Sequence, residues 1–105
     1  MGSSPPHMVR VHVYVSGIVQ RVGFRFYTAR KAKALGITGF VRNLPDGRVE
    51  IVAEGSREAI NKFIEEVSIG PPRSKVDGME ISWEDFSGEF SDFKVVKTGR
   101  FSHLS

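Results

Sequence analysis

Two arginines, Arg21 and Arg25, lie in the segment SGIVQRVGFR, between a run of alternating valines and a segment with helical character. The N-terminus of a helix exposes unpaired backbone N–H groups and carries a partial positive charge. Gly17 and Gly23 would let the backbone approach a ligand closely, so the loop and the helix together are typical of an anion site. Arg25 falls in the first helical turn, where a cation is unfavourable to the helix dipole. A bound dianion would relieve that conflict, and a guanidinium can bind two of its oxygens at once.

The flanking segments predict the elements that position this loop. Residues 9–16 alternate between valines and other side chains, which predicts a strand with one buried face. A helix is predicted over residues 24–35, ended by Gly36. Two β-rich runs on either side of Pro45-Asp46-Gly47 predict a hairpin, because this tripeptide is a strong turn signal.

The second half of the chain predicts one more helix and two more strands. Ser56 is a good N-cap, and four apolar residues follow it at helical spacing: Ile60, Phe63, Ile64 and Val67. Strands are predicted over 76–84 and, shorter, over 93–96. The order βαββαβ with an extra short C-terminal strand predicts a ferredoxin-like α/β sandwich, in which two helices cover one face of a mixed, mostly antiparallel sheet.

Length and composition limit the classes of protein. A chain of 105 residues is one domain by length. We expect residues 1–8 to be an expression-tag remnant, 9–97 the domain and 98–105 a flexible tail. The absence of cysteine excludes disulfides, thiolate metal sites and a cysteine nucleophile. With no membrane-length apolar run and no signal peptide, the sequence favours a cytoplasmic protein without a membrane partner. The net charge of +3 fits an anionic ligand but is too small to indicate nucleic acid.

Two motifs resemble the signatures of the acylphosphatase family. Residues 15–25, VSGIVQRVGFR, are similar to the family's first signature, V-x-G-x-V-Q-G-V-x-F-R. The second signature is matched throughout by Gly39-Phe40-Val41-Arg42-Asn43, followed by Gly47, Val49 and Gly55. The resemblance extends from Val9 to about Val96.

The resemblance implies an enzyme that hydrolyses the carboxyl–phosphate bond of small acyl phosphates and releases inorganic phosphate. It implies that Arg25 clamps the phosphate and that Asn43 holds the attacking water. It also implies a phosphate-binding loop whose backbone N–H groups wrap the anion: Gly17, Ile18, Val19, Gln20, Arg21, Val22 and Gly23. Of these, Gln20 is expected to shape the loop. The family uses no metal or cofactor, and a monomer is the default expectation.

Such a small set of groups fits the chemistry. An acyl phosphate expels a carboxylate whose conjugate acid has a pKa of about 4, so the leaving group needs no dedicated general acid. Phosphoryl transfer depends mainly on positioning and charge stabilisation. The motifs contain no cysteine, Ser-His pair or carboxylate pair, which favours direct attack by water. From the residues alone, Arg25 could instead form a surface ion pair, and Asn43 could be a strand-end hydrogen bonder.

Arg21 stands where the family normally has glycine. If that glycine has a positive φ, arginine there costs on the order of 1 kcal/mol, and the loop must bear the strain or change shape. Two alternatives to acyl phosphate hydrolysis stay open, the first because of Arg21 and the second because RNA-recognition domains share the predicted topology. One is an acylphosphatase-like domain that binds anions with low turnover. The other is an RNA-recognition module, which the outward positions of the two central strands disfavour because Tyr14 is accompanied by the acids Glu50 and Glu54.

Overall fold

The computed structural model describes residues 7–98, which form five strands and two helices. The elements are β1 (Met8–Ile18), α1 (Phe24–Ala34), β2 (Thr38–Asn43), β3 (Val49–Ser56), α2 (Arg57–Ile69), β4 (Lys75–Asp85) and β5 (Phe93–Val95). Residues 1–6 of the suggested tag (1–8) and residues 99–105 of the suggested tail (98–105) lie outside the described part of the chain. In the described part, no helix is long and apolar enough to cross a membrane.

The strands form one sheet in the order β4-β1-β3-β2-β5. Pairing is antiparallel between the first four strands, and β5 adds to β2 in parallel. Both helices pack on the sheet and on each other. The predicted ferredoxin-like architecture, with a mixed sheet and an additional short C-terminal strand, is confirmed.

The core lies between the sheet and the helices, where the predicted alternation places it. The four valines of β1 at positions 9, 11, 13 and 15 are buried, as are Ile60, Phe63 and Val67 of α2. The side chain of Ser56 caps α2 by accepting a hydrogen bond from the backbone N–H of Ala59 at 3.1 Å. In α1 the buried positions are Phe24, Thr28, Ala29 and Ala32, whereas Phe26 on the opposite side is 64% exposed.

The end of β1 bends where the anion loop begins. The strand continues past the predicted residue 16 to Ile18, but its pairing with β4 shifts register between Ser16 and Gly17. Gly17 has a φ of 126°, and a Cβ on it would overlap the carbonyl oxygen of Lys75. Only glycine fits at this position of the bulge. The bulge redirects the chain from the sheet into the loop.

The outward face of the sheet carries two buried carboxylates. Glu50 and Glu54 are only 5% and 1% exposed. The segment after β4 folds over this face, and the carboxylate of Glu54 accepts hydrogen bonds from the backbone N–H groups of Ser87 and Gly88 at 2.9 and 3.0 Å. Arg10 adds an ion pair to Glu54 at 3.3 Å. Buried carboxylates are stable here because their oxygens are hydrogen-bonded.

Candidate active site

The two signature segments meet at a pocket of about 230 Å³. It lies where the loop after β1, the N-terminus of α1 and the end of β2 come together. Its lining consists of Val19, Arg21, Gly23, Phe24, Arg25, Phe26 and Asn43. The fold thus brings Arg25 and Asn43 to one cavity, although 18 positions separate them in the sequence.

The start of α1 leaves its backbone N–H groups available to a ligand. Gly23 is the N-cap residue with a φ of 79°, and no side chain caps the helix. The first turn of the helix contains no acidic residue. Uncapped N–H groups and the helix dipole favour a bound anion at this point, as the sequence suggested.

Arg25 is half-buried at this helix terminus. Within residues 7–98 it forms no ion pair, and its guanidinium lies 5.9 Å from the centre of the Phe26 ring. The surface ion pair that the residues alone allowed is therefore not formed in the described part of the chain. A guanidinium without a carboxylate partner, placed beside uncapped N–H groups, is suited to an anionic ligand.

Asn43 ends β2, opposite Val49 of β3. Its side-chain Oδ1 is buried, and among the described residues nothing donates a hydrogen bond to it. An unsatisfied buried acceptor costs about 1–3 kcal/mol, so such atoms in native proteins call for a specific explanation. The carbonyl oxygen of this amide does not serve as a strand-end hydrogen bonder, and residue Asn43 lines the pocket that also contains Arg25.

Gln20 joins the two signature segments. Its side-chain amide donates hydrogen bonds to the carbonyl oxygens of Leu44 and Arg48, at 2.8 and 2.9 Å. These carbonyls belong to the turn that follows Asn43, where the N–H of Gly47 also bonds to the Leu44 oxygen at 3.1 Å. Gln20 therefore fixes the loop to the hairpin, as expected for a residue that shapes the loop.

Arg21 has a backbone conformation that favours glycine. Its φ is 65°, and it is the only non-glycine residue with positive φ in the described chain. The loop therefore bears backbone strain at this residue, at a cost of about 1–2 kcal/mol. The side chain is exposed and lies at the wall of the pocket.

Four of the predicted phosphate-binding residues do not line the pocket. Gly17 and Ile18 belong to the end of β1, and Val22 packs partly against the core. The side chain of Gln20 is directed to the turn. Conversely, Phe26 lines the pocket although it is not among the predicted site residues. The sequence feature that could have indicated this role is an aromatic residue directly after Arg25, on the side of α1 away from the core.

A carboxylate on the other side of the sheet anchors the strand that carries Asn43. Glu50 of β3 accepts hydrogen bonds from His12 Nε2 at 2.6 Å and from Tyr14 at 3.3 Å, and it pairs with Arg42. Burial alone would raise the pKa of Glu50, but the hydrogen bonds from Arg42 and His12 outweigh it and lower the pKa. The ionised carboxylate thus joins β1, β3 and the last residues of β2.

Comparison with known proteins agrees with this geometry. The acylphosphatase family model matches residues 11–95. An acylphosphatase of Methylococcus capsulatus is 49% identical over 90 residues, which is 86% of this chain and 98% of that protein. The crystal structure of acylphosphatase from Bacillus subtilis superposes with a TM-score of 0.82 at 36% identity, covering 84% of this chain and 98% of that one. An acylphosphatase from Coxiella burnetii gives 0.79 at 40% identity, over 85% and 93% of the two chains. Signatures, fold and relatives agree, and the chain belongs to the acylphosphatase family.

Proposed function

We propose that this protein hydrolyses the carboxyl–phosphate bond of small acyl phosphates by direct attack of water, with Arg25 binding the phosphate and Asn43 orienting the water. The observation that carries the proposal is that Asn43 lines the same pocket as Arg25 and has a buried side-chain Oδ1 with no hydrogen-bond donor among residues 7–98. The family assignment supports the reaction, and the pocket supports the roles of its residues.

Phosphate binding relies on charge and on the helix terminus. The guanidinium of Arg25 would bind two phosphate oxygens, and the N–H groups near Gly23 would bind the others. This arrangement stabilises the charge on the three equatorial oxygens as the bond to the leaving carboxylate lengthens. Because these donors are held by the loop and the helix, they need no reorganisation during the reaction. The mechanism requires no metal or cofactor.

Water activation relies on orientation. A water molecule that donates to Oδ1 of Asn43 would direct a lone pair towards the phosphorus, opposite the leaving oxygen. As the new P–O bond forms, the P–O bond to the acyl group breaks and its electron pair leaves with the carboxylate. The proton of the attacking water passes to the phosphate product or to solvent. No general base is needed, because the good leaving group keeps the barrier low.

The proposed roles of Arg25 and Asn43 predict different effects of their replacement on turnover and on phosphate inhibition. Arg25→Ala should lower hydrolysis of benzoyl phosphate by about 10²-fold or more and abolish inhibition by inorganic phosphate, because both depend on the guanidinium. Asn43→Ala should lower kcat strongly and leave phosphate inhibition nearly unchanged. Arg73→Ala and Asn61→Ala are matched controls, because both residues are exposed and distant in sequence from the pocket lining.

Three results would contradict these roles. Near-normal turnover in folded Arg25→Ala would remove Arg25 from the site. Equal losses of kcat and phosphate affinity in Asn43→Ala would make Asn43 a phosphate ligand or a loop support. No phosphate release by the unmodified protein from any acyl phosphate would favour the alternative that this domain binds anions with low turnover.

A further inference from the structure

A second, larger groove adjoins the candidate active site. It measures about 590 Å³ and lies between the outer side of α1 and the edge strand β5. Phe26 lines both this groove and the pocket of Arg25 and Asn43. We infer that the groove binds an anionic group at the far end of the acyl portion of the substrate. This inference rests on the proposed function and names a class of substrate: acyl phosphates whose acyl group carries a second negative charge.

The charges of the groove support an anionic occupant. Arg30, Lys33 and Lys94 line it, and none of them forms an ion pair within residues 7–98. The one acid in the lining, Asp92, accepts a hydrogen bond from the N–H of Phe93 at 2.8 Å. On the side of α1 that faces α2, by contrast, Lys31 pairs with Glu66 at 3.3 Å. The groove therefore has three cations and one anion, and a negatively charged group would complement it.

The position of these cations fits a substrate that extends from the pocket. Phe26, Arg30 and Lys33 are spaced i, i+4 and i+7, so they follow one stripe along α1. With a rise of 1.5 Å per residue, Arg30 and Lys33 lie about 6 and 10 Å beyond Phe26 along the helix axis. An acyl phosphate bound at Arg25 can place its acyl group across the exposed ring of Phe26. A negative charge at the end of a short or aromatic acyl group would then reach Arg30 or Lys33.

The apolar part of the groove suits the connecting portion of such a substrate. Phe26 is 64% exposed, so its ring offers apolar surface to a ligand in the groove. Ala29 leaves a small side chain in the floor of the groove between Phe26 and Lys33. An aromatic spacer could therefore lie on Phe26 and Ala29. Its phosphate would then be at Arg25, and its second negative charge would be at Arg30 or Lys33.

A pair of substrates that differ only at the far end tests the inference. Benzoyl phosphate and 4-carboxybenzoyl phosphate share the reacting group, and the para-carboxylate adds the second charge. We expect the unmodified protein to show the higher kcat/KM for the carboxylated compound. Arg30→Gln and Lys33→Gln should each lower kcat/KM for that compound by roughly three- to tenfold, as for an exposed charge pair, and change benzoyl phosphate less than twofold. Lys62→Gln removes the same charge from the exposed face of α2 and should alter neither substrate.

The outcomes separate this inference from the proposed function. If the protein hydrolyses benzoyl phosphate but the preference is absent or unaffected by Arg30→Gln and Lys33→Gln, the groove does not bind the charge and only the inference fails. If Lys62→Gln gives the same loss, the effect is general electrostatic attraction and the inference also fails.

A binding measurement decides the case in which the protein hydrolyses neither compound. The stable analogues benzylphosphonate and 4-(phosphonomethyl)benzoate can be compared by calorimetry without turnover. Tighter binding of the carboxylated analogue, lost in Arg30→Gln but kept in Lys62→Gln, would support the groove although hydrolysis failed. Equal binding of the two analogues would overturn it.

Discussion

Replacing Arg21 with glycine should stabilise the fold and raise the rate of hydrolysis. Arg21 has a φ of 65°, a conformation that costs an L-residue with a Cβ about 1–2 kcal/mol. Glycine removes this cost but gains freedom in the unfolded chain, which offsets about 0.5–1 kcal/mol. The net expectation is a gain of about 0.5–1 kcal/mol in the free energy of unfolding.

The effect on the rate follows from the same strain. A loop strained by about 1 kcal/mol can lose up to about fivefold in the population that holds its N–H groups around the phosphate. Arg21→Gly should therefore raise kcat/KM for benzoyl phosphate by at most about fivefold and tighten phosphate inhibition by a similar factor. Arg21→Ala removes the charge but keeps a Cβ, so it should recover little of either quantity.

Urea unfolding and phosphate release, measured on the same preparations, test this reasoning. Gly36→Ala provides an independent measure of the strain, because Gly36 has a φ of 71° and a Cβ there meets no atom within 4 Å. It lies at the C-terminal end of α1, so it should lose about 1 kcal/mol of stability without a change in rate. If alanine at position 21 matches glycine in both assays, the charge or bulk of the side chain is the obstacle, and backbone strain is not. If neither variant changes rate or stability, the loop tolerates arginine and the reasoning is refuted.

Further predictions concern the clamp, the loop support, the metal requirement and the buried carboxylates. Arg25→Lys should restore only part of the activity lost in Arg25→Ala, because an ammonium lacks the two-pronged geometry; full activity would contradict a bidentate clamp. Gln20→Ala should lose about 1–2 kcal/mol of stability and lower kcat, since two hydrogen bonds to the hairpin turn disappear; unchanged kinetics would separate the loop geometry from catalysis. Treatment with EDTA should leave phosphate release unchanged, and a loss restored by a divalent ion would contradict the metal-free mechanism. Burial alone would raise the pKa of Glu54, but hydrogen bonds from Ser87, Gly88 and Arg10 outweigh it and lower the pKa below 4.5. The ionised carboxylate therefore stabilises the folded state above pH 4.5, and this contribution is lost as the pH falls through the folded-state pKa. Glu54→Gln should therefore make the loss of stability in acid less steep in urea unfolding at pH 2–7.

Much of the fold was predictable because local patterns and tertiary packing agree. The alternating valines of β1 face the core, and the side chain of Ser56 caps α2 where the sequence placed its start. The hairpin follows from Pro45-Asp46-Gly47, since the turn bonds connect Leu44 to Gly47 and to Arg48. These features depend on neighbours a few residues apart, which a sequence displays directly.

The remaining features depend on contacts between distant segments. Glu54 alternates as a polar outward residue, and nothing near it in the sequence shows that Ser87 and Gly88 will cover its carboxylate. The exposure of Phe26 was predictable from its place on α1, but its position between a pocket and a groove depends on where β5 adds to the sheet. Pairing of a three-residue strand is weakly specified by its sequence, so the groove could be found only in the structure.

The candidate site depends on strand pairing as much as on its signature residues. Arg25 is fixed by α1, whereas Asn43 is fixed by the pairing of β2 with β3, where it lies opposite Val49. Gln20 connects the two supports through the carbonyls of Leu44 and Arg48. A shift of β2 by one residue would turn the Asn43 side chain to the other face of the sheet, because side chains alternate along a strand. The buried pairing of Glu50 with Arg42 opposes such a shift, since it would leave the carboxylate without its cation. The polar network on the outer face therefore holds the register on which the orientation of the attacking water depends.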